Sequence, residues 1–425
     1  MASVIAGEVG RPGGCPGPAP CALIGAAHQW LHETGSTLAK QVELRWLGAD
    51  RGVGVIAVEH IAAGEVLLSA SNSSLALLSS EFASPWENAA LTEFIASAIG
   101  QEEGTGSAGS ASLVVRLTDL LLRLARCIDT GTALERYIAA CPSTQSTPMQ
   151  WPASALHALR GSAMHARFES TFQAKREEAR VLCSAWPAEA LTPPPTDKEF
   201  AKAFSDANAF VSTRALQTDT SLGTILHPVL DLVNHASPDI ANAKPVFSED
   251  KAILQAKSDI VSGSEICFCY DSDADFLDMW ERYGFFDETA WIHTVEIEVA
   301  CTLVEAGIFW IPEASVPLEC PLLTSLCKAL REKLDASLTD AEVERKSLAC
   351  MADLIRAHLV SYPEEEASLT LDKDEEVLQG SPALAALSIA ARKILDYEKS
   401  LLAGTLAKIE SLLAPSACGT LAKIE

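Results

Sequence analysis

The chain is short of positive charge: its 425 residues hold 32 Lys and Arg against 57 Asp and Glu, a formal charge of −25. Such a field opposes a phosphate backbone, so nucleic acid is not expected as a partner, whereas a lysine-bearing protein segment would be attracted. No apolar run reaches the roughly 18 residues of a membrane span, so a soluble protein is expected and no membrane association. Twelve cysteines are present, yet no two form a Cys-x-x-Cys pair, which argues against a zinc site or a disulfide framework. Scattered thiols suit a reducing intracellular compartment. The N-terminal residues lack the Arg- and Ser-rich length of a chloroplast transit peptide, so cytoplasm or nucleus is expected over import.

What is there suffices for a large interior. Hydrophobic residues make up 48%, and this length implies two or three packed units rather than one core. Residues 1–25, with the Gly/Pro run Arg11-Pro12-Gly13-Gly14-Cys15-Pro16-Gly17-Pro18, read as a flexible tail. Val42, Leu44 and Trp46 alternate with Glu43 and Arg45, and a second apolar run spans 53–58, so both are expected as strands. Between them, Gly52-x-Gly54 reads either as a turn with permissive backbone angles or as a close backbone approach to a cofactor. From about 75 to 210 the periodicity is helical, notably over 113–128 and 200–210. A Gly/Ser loop is expected at 104–112, and Pro193-Pro194-Pro195 is expected to end a helix. After Glu288 the chain reads as mainly helical, with helices expected at 321–334, 340–359 and 384–413. The acidic segment Pro363-Glu364-Glu365-Glu366 reads as a solvated loop, and the heptad Gly-Thr-Leu-Ala-Lys-Ile-Glu occurs twice, at 404–410 and 419–425.

The most informative stretch lies at 228–286. It carries Pro228, Asp231, Asn234 and His235, then Ile260-Val261-Ser262-Gly263-Ser264-Glu265-Ile266, then Tyr270, and finally Tyr283-Gly284-Phe285. Cys267 and Cys269 alternate with Ile266 and Phe268 as in a strand, sharing one face as small buried hydrophobes. Upstream stand Trp30-Leu31-His32-Glu33-Thr34-Gly35, Arg51-Gly52-Val53-Gly54-Val55-Ile56-Ala57, and Tyr137-Ile138 with Trp151 and Gly161. In this order the pieces resemble the SET-domain methyltransferases of the plant Rubisco large-subunit lysine methyltransferase family and related protein lysine and histidine methyltransferases. The likeness covers about 26–290.

That resemblance implies an α+β fold: a β-rich, knotted SET domain at 26–290 with a helical insertion at about 75–210, then a helical substrate-binding-like domain at 291–425. It implies a protein-lysine N-methyltransferase using S-adenosyl-L-methionine. A histidine methyltransferase of the same fold, or a weakly catalytic protein-binding scaffold, remains open. Tyr270 would sit where the methyl group crosses. Arg51, Gly52 and Val53 would offer a backbone edge to the donor, Asn234 and His235 would contact it, and Arg214 would meet its carboxylate. Asp231, Tyr270 and Tyr283 would line the channel of the substrate lysine. The sequence departs from relatives at Asp271 and at Asp275-Phe276, which bears on substrate choice.

Overall fold

The computed structural model describes residues 18–48, 51–71, 83–84, 86–99, 107–141, 147, 151, 156–248, 250–287, 294–299, 304, 307–312, 320–333, 338–362 and 382–414. The acidic run at 363–366 and the second copy of the heptad lie outside them. The chain forms two compact units, 1–144 with 185–272, and 145–184 with 273–425. These bounds differ from the expected division near residue 290, because 145–184 groups with the C-terminal part of the chain.

Helix α1 (Pro18–Thr34) opens the described chain. Residues 18–25, expected in a tail, are therefore helical, and Pro18 occupies the first turn, where a missing N–H costs no helical bond. Strands β1 (Thr37–Leu38), β2 (Val42–Trp46), β3 (Val53–Ala57) and β4 (Val66–Ser71) follow. Then come helices α2 (Ala89–Ile99), α3 (Ser107–Ala125), α4 (Ala133–Ala140), α5 (Ala163–Ala185) and α6 (Asp197–Arg214). The loop expected at 104–112 is helical from Ser107 onward. The proline triplet does not end a helix: α5 stops at Ala185, and the prolines lead instead into Thr196, which caps α6 with a reciprocal Thr196–Glu199 box.

Beyond α6 lie β5 (Ala215–Gln217), β6 (Thr224–Leu226), β7 (Ala243–Phe247), β8 (Lys251–Ala256) and β9 (Glu265–Ile266). One sheet of the first unit has the order β1-β4-β8-β7 and a second the order β2-β3-β9, with β5-β6 as a separate pair. In β2 the buried Val42 and Leu44 alternate with exposed Glu43 and Arg45, whereas all five residues of β3 are buried. The difference follows from position, since β3 is flanked on both edges, by β2 and by β9. The register pairs Ile56 with Glu265 and Val55 with Ile266. The turn from β2 to β3 is closed by Leu47 N–H to Gly52 O at 2.8 Å and Gly52 N–H to Gly48 O at 2.8 Å. Gly52 there has φ +65°, which favours glycine.

The second unit holds α5, then α7 (Phe276–Tyr283), β10 (Thr294–Val299), β11 (Gly307–Pro312), α8 (Pro321–Lys333), α9 (Asp340–Ser361) and α10 (Pro382–Leu413). The three long C-terminal helices fall close to the expected spans. The antiparallel β10–β11 hairpin is an addition to the segment expected to be mainly helical. Val295, Ile297 and Val299 turn one face of it into a core shared with Leu322, Leu326, Met351, Ile355 and Leu402. Asp275, one of the departures from the resembled pattern, caps α7 by accepting from Leu277 and Asp278 N–H, each at 2.8 Å. Gly284, in the left-handed region at φ 79°, ends the same helix.

Candidate functional site

Strand β9 and the segment after it run beside 234–236. His235 and Phe268 form a parallel bridge, with Phe268 N–H donating to Asn234 O at 3.2 Å and Ala236 N–H donating to Phe268 O at 3.1 Å. This pairing brings Tyr270 against the Asn-His pair. Its backbone N–H donates to His235 Nδ1 at 3.1 Å, and its hydroxyl donates to Val233 O at 2.8 Å. The two rings meet edge to face, with centroids 5.2 Å apart. Because Nδ1 of His235 accepts, a neutral imidazole there carries its proton on Nε2. The expected Asn234–His235–Tyr270 cluster therefore forms.

Arg51, two residues ahead of β3, meets the same cluster. Asn234 Nδ2 donates to Arg51 O at 3.2 Å and to Glu265 Oε1 at 2.8 Å, and Arg51 Nη2 pairs with Glu265 Oε2 at 2.9 Å. Gly54 passes close to this bridge. A Cβ on it would stand 3.0 Å from Asn234 Nδ2, 3.1 Å from Glu265 Oε1 and 2.4 Å from Leu47 Cδ1, so glycine here serves a close approach rather than a turn. Glu265 stands in the run Ile260–Ile266, where no local pattern marks it as a partner of Asn234. Cys267 is buried and its thiol is pushed up to about 12 by burial, so it is an inert packing group. Cys269 is only half-buried, which departs from the expected pair of buried cysteines.

The carboxylate of Asp231, expected to line a substrate channel, has a side chain only 2% exposed. Tyr137 OH donates to its Oδ1 at 2.5 Å, and Arg214 Nη1 donates to its Oδ2 at 3.0 Å. Burial raises the Asp231 carboxyl above its ordinary range, opposed by the neighbouring guanidinium. Tyr137 is likewise raised by burial and by Asp231, and the adjacent Cys141 thiol is pushed up to about 12 by burial. Arg214, expected at the donor carboxylate, thus directs Nη1 to Asp231. The network ties α4 and the end of α6 to the turn at Leu230–Leu232 that leads into Asn234. Val229, just before that turn, has φ 85°, a strained angle for a β-branched residue. His227 is 1% exposed and packs against Trp30, with ring centroids 5.1 Å apart. Burial pushes it down to about 4, so the ring is neutral and its Nδ1 donates to Pro228 O at 2.6 Å.

Tyr283 ends α7 in the second unit, half-buried and 6.2 Å from the Phe285 ring. That unit also holds a buried carboxylate that sequence reasoning missed. Glu398 of α10 is 1% exposed and accepts from Ser162 Oγ at 2.7 Å and from Tyr362 OH at 2.8 Å. Its carboxyl is pushed up to about 7 by burial.

Comparison with known proteins bears on the fold that carries this arrangement. A family model described as the SET domain aligns with residues 52–271, just over half of the chain. SET domain-containing protein 8 of Schizosaccharomyces pombe is 27% identical over 158 residues, covering 36% of this chain and 34% of that relative. The chain thus spans about a third of the length of the curated relative it matches. Among solved structures, the SET domain of LSMT bound to lysine and AdoHcy superposes with TM-score 0.60 at 18% identity, over 93% of this chain and 92% of that one. Rubisco LSMT bound to AdoMet gives TM-score 0.60 at 16% identity, over 92% of each chain. At these identities the likeness is one of fold.

Proposed function

Since the chain belongs to the SET-domain family and has the α+β fold of its methyltransferases, we propose that it transfers a methyl group from S-adenosyl-L-methionine to a lysine of a protein substrate. The observation that carries this reading is the convergence on Tyr270. Its N–H is fixed by His235 and its hydroxyl by the carbonyl of Val233. The solved structures of similar fold contain AdoMet, or AdoHcy with lysine, which supports the same donor and the same class of acceptor.

The residues present fit such a donor. Asn234 commits its NH₂ group to Arg51 O and Glu265, and among the described residues nothing donates to its Oδ1, an acceptor suited to an ammonium. Arg51, with a side chain 53% exposed, supplies a cation beside it that suits a carboxylate.

When bound, the donor supplies a methyl group already activated on a sulfonium. A phenol has one hydrogen, and Tyr270 spends it on Val233 O, so its hydroxyl oxygen faces other groups only as an acceptor. An oxygen held in that state can receive the polarised C–H of the methyl group and the N–H of the attacking amine, aligning them for in-line displacement. The buried Phe268 and Val233 exclude water beside it, and low polarity favours the neutral amine that the reaction needs, since a free lysine titrates near ~10.4. The charge of −25 favours approach of a cationic segment. We assign recruitment of that protein to the C-terminal part, 291–425. The deciding experiment incubates the purified full chain with labelled S-adenosylmethionine and soluble protein extracts, then locates the label by mass spectrometry. Label on lysine is expected, label on histidine would move the protein to the alternative acceptor, and no transfer would leave only a binding scaffold.

A further inference from the structure

We infer that Glu265 is a positioning residue for the amino-acid end of the methyl donor, acting through the side-chain amide of Asn234. The inference rests on the methyl-donor reading and adds to it the residue that decides which end of that amide the donor meets.

A carboxamide turned by half a rotation exchanges a donor for an acceptor of nearly the same size, so packing alone does not hold it. Here the exchange is blocked electrostatically. Asn234 Nδ2 meets two acceptors at once, Arg51 O at 3.2 Å and Glu265 Oε1 at 2.8 Å. Turning the amide would set its oxygen against both, and one of the two is a carboxylate. The NH₂ end is therefore committed to the protein and Oδ1 to the opposite side, where a cationic N–H is the complement. Of the two acceptors, the charged one forms the shorter and stronger bond.

Glu265 is itself held in place. The β3–β9 register sets it opposite Ile56, its Oε2 pairs with Arg51 at 2.9 Å, and its side chain is only 15% exposed. Gly54 lets strand β3 pass close to this bridge, where a Cβ would stand 3.0–3.1 Å from its atoms and force them to shift. The one carboxylate thus fixes an acceptor for the donor's ammonium and steadies the guanidinium beside it.

The test separates the amino-acid end of the ligand from the rest. Calorimetry on the full chain measures S-adenosylhomocysteine and methylthioadenosine, which shares the adenosine and thioether but has no amino acid. Glu265→Gln can offer its own NH₂ to Asn234 and so permits the turned amide. It should bind S-adenosylhomocysteine about tenfold more weakly, with methylthioadenosine within twofold of wild type. In steady state the loss should appear in KM for the donor more than in kcat. In an Asn234→Ala background the same change should have a much smaller effect, the remainder acting through Arg51. Equal losses for both ligands, unchanged affinity, or a full additional loss without the Asn234 amide would overturn the inference. Glu265→Asp, which keeps the charge but draws it back from Asn234, must show the same selective loss and carries the test if the Gln variant does not fold. Failure of the wild type to bind either compound would overturn the methyl-donor reading itself, and this inference with it.

Discussion

The hydroxyl of Tyr270 donates a 2.8 Å hydrogen bond to the carbonyl oxygen of Val233, the residue just before the Asn234-His235 pair. The tyrosine is thus locked to the segment that carries Asn234 and His235. Its ring leans on His235 and Phe268, at centroid distances of 5.2 and 5.1 Å. A hydroxyl so placed has both a structural and a chemical use, and the two can be separated.

Replacing Tyr270 with Phe keeps the ring and leaves the Val233 carbonyl without its donor. The structural part should cost about 1 kcal/mol of stability. The chemical part, by analogy with removal of an oxyanion-hole donor, should slow turnover per folded molecule roughly 10²–10³-fold while donor affinity changes little. Denaturation and single-turnover rates on one preparation measure both. Wild-type turnover in the variant would reduce Tyr270 to a packing residue.

The residues of this cluster were legible in the sequence because the motif names them in order, and strands β2 and β3 were legible from period-two alternation and an apolar run. Their partners were not. Asn234 is 31 residues from Glu265 and 183 from Arg51, and no local pattern reports a contact at such separations. Asp231 illustrates the same limit. Its place in the motif suggested a channel wall, but Tyr137, 94 residues away, and Arg214, 17 away, close over its carboxylate. The β10–β11 hairpin did leave a signal, since Val295, Ile297 and Val299 alternate with Glu296 and Glu298, and the helical character of the surrounding segment obscured it.

The Asp231–Arg214 pair has side chains 2% and 12% exposed, so removing one partner strands a charge away from water. Asp231→Asn should therefore destabilise the protein by about 3–5 kcal/mol, far more than a surface pair would. Adding Arg214→Met, which removes the stranded charge and keeps much of the volume, should recover most of that loss. Urea unfolding of the wild type, the single and the double variant measures the coupling. A double variant no more stable than Asp231→Asn would show that the pair is not the source of the effect.

Glu398 gives the second unit a pH dependence of definite sign. Burial raises its carboxyl from 4.5 to about 7 in the folded protein, so between those values the folded state holds a proton that the unfolded chain has released. The folded state then binds more protons than the unfolded one, and stability falls as pH rises across this window. The stabilisation present below about 4.5 should be gone above about 7, a change on the order of 3 kcal/mol. Glu398→Gln mimics the protonated acid, and its amide can pair with the Ser162 and Tyr362 hydroxyls that now donate to the carboxylate. Unfolding free energies of both proteins from pH 5 to 8 isolate this group, because every other titration cancels in the difference. The Gln variant should gain on the wild type steadily as pH rises and be the more stable near pH 8. A difference between the two proteins that stayed flat from pH 5 to 8 would mean that the two hydroxyl donors outweigh burial and hold Glu398 ionised throughout.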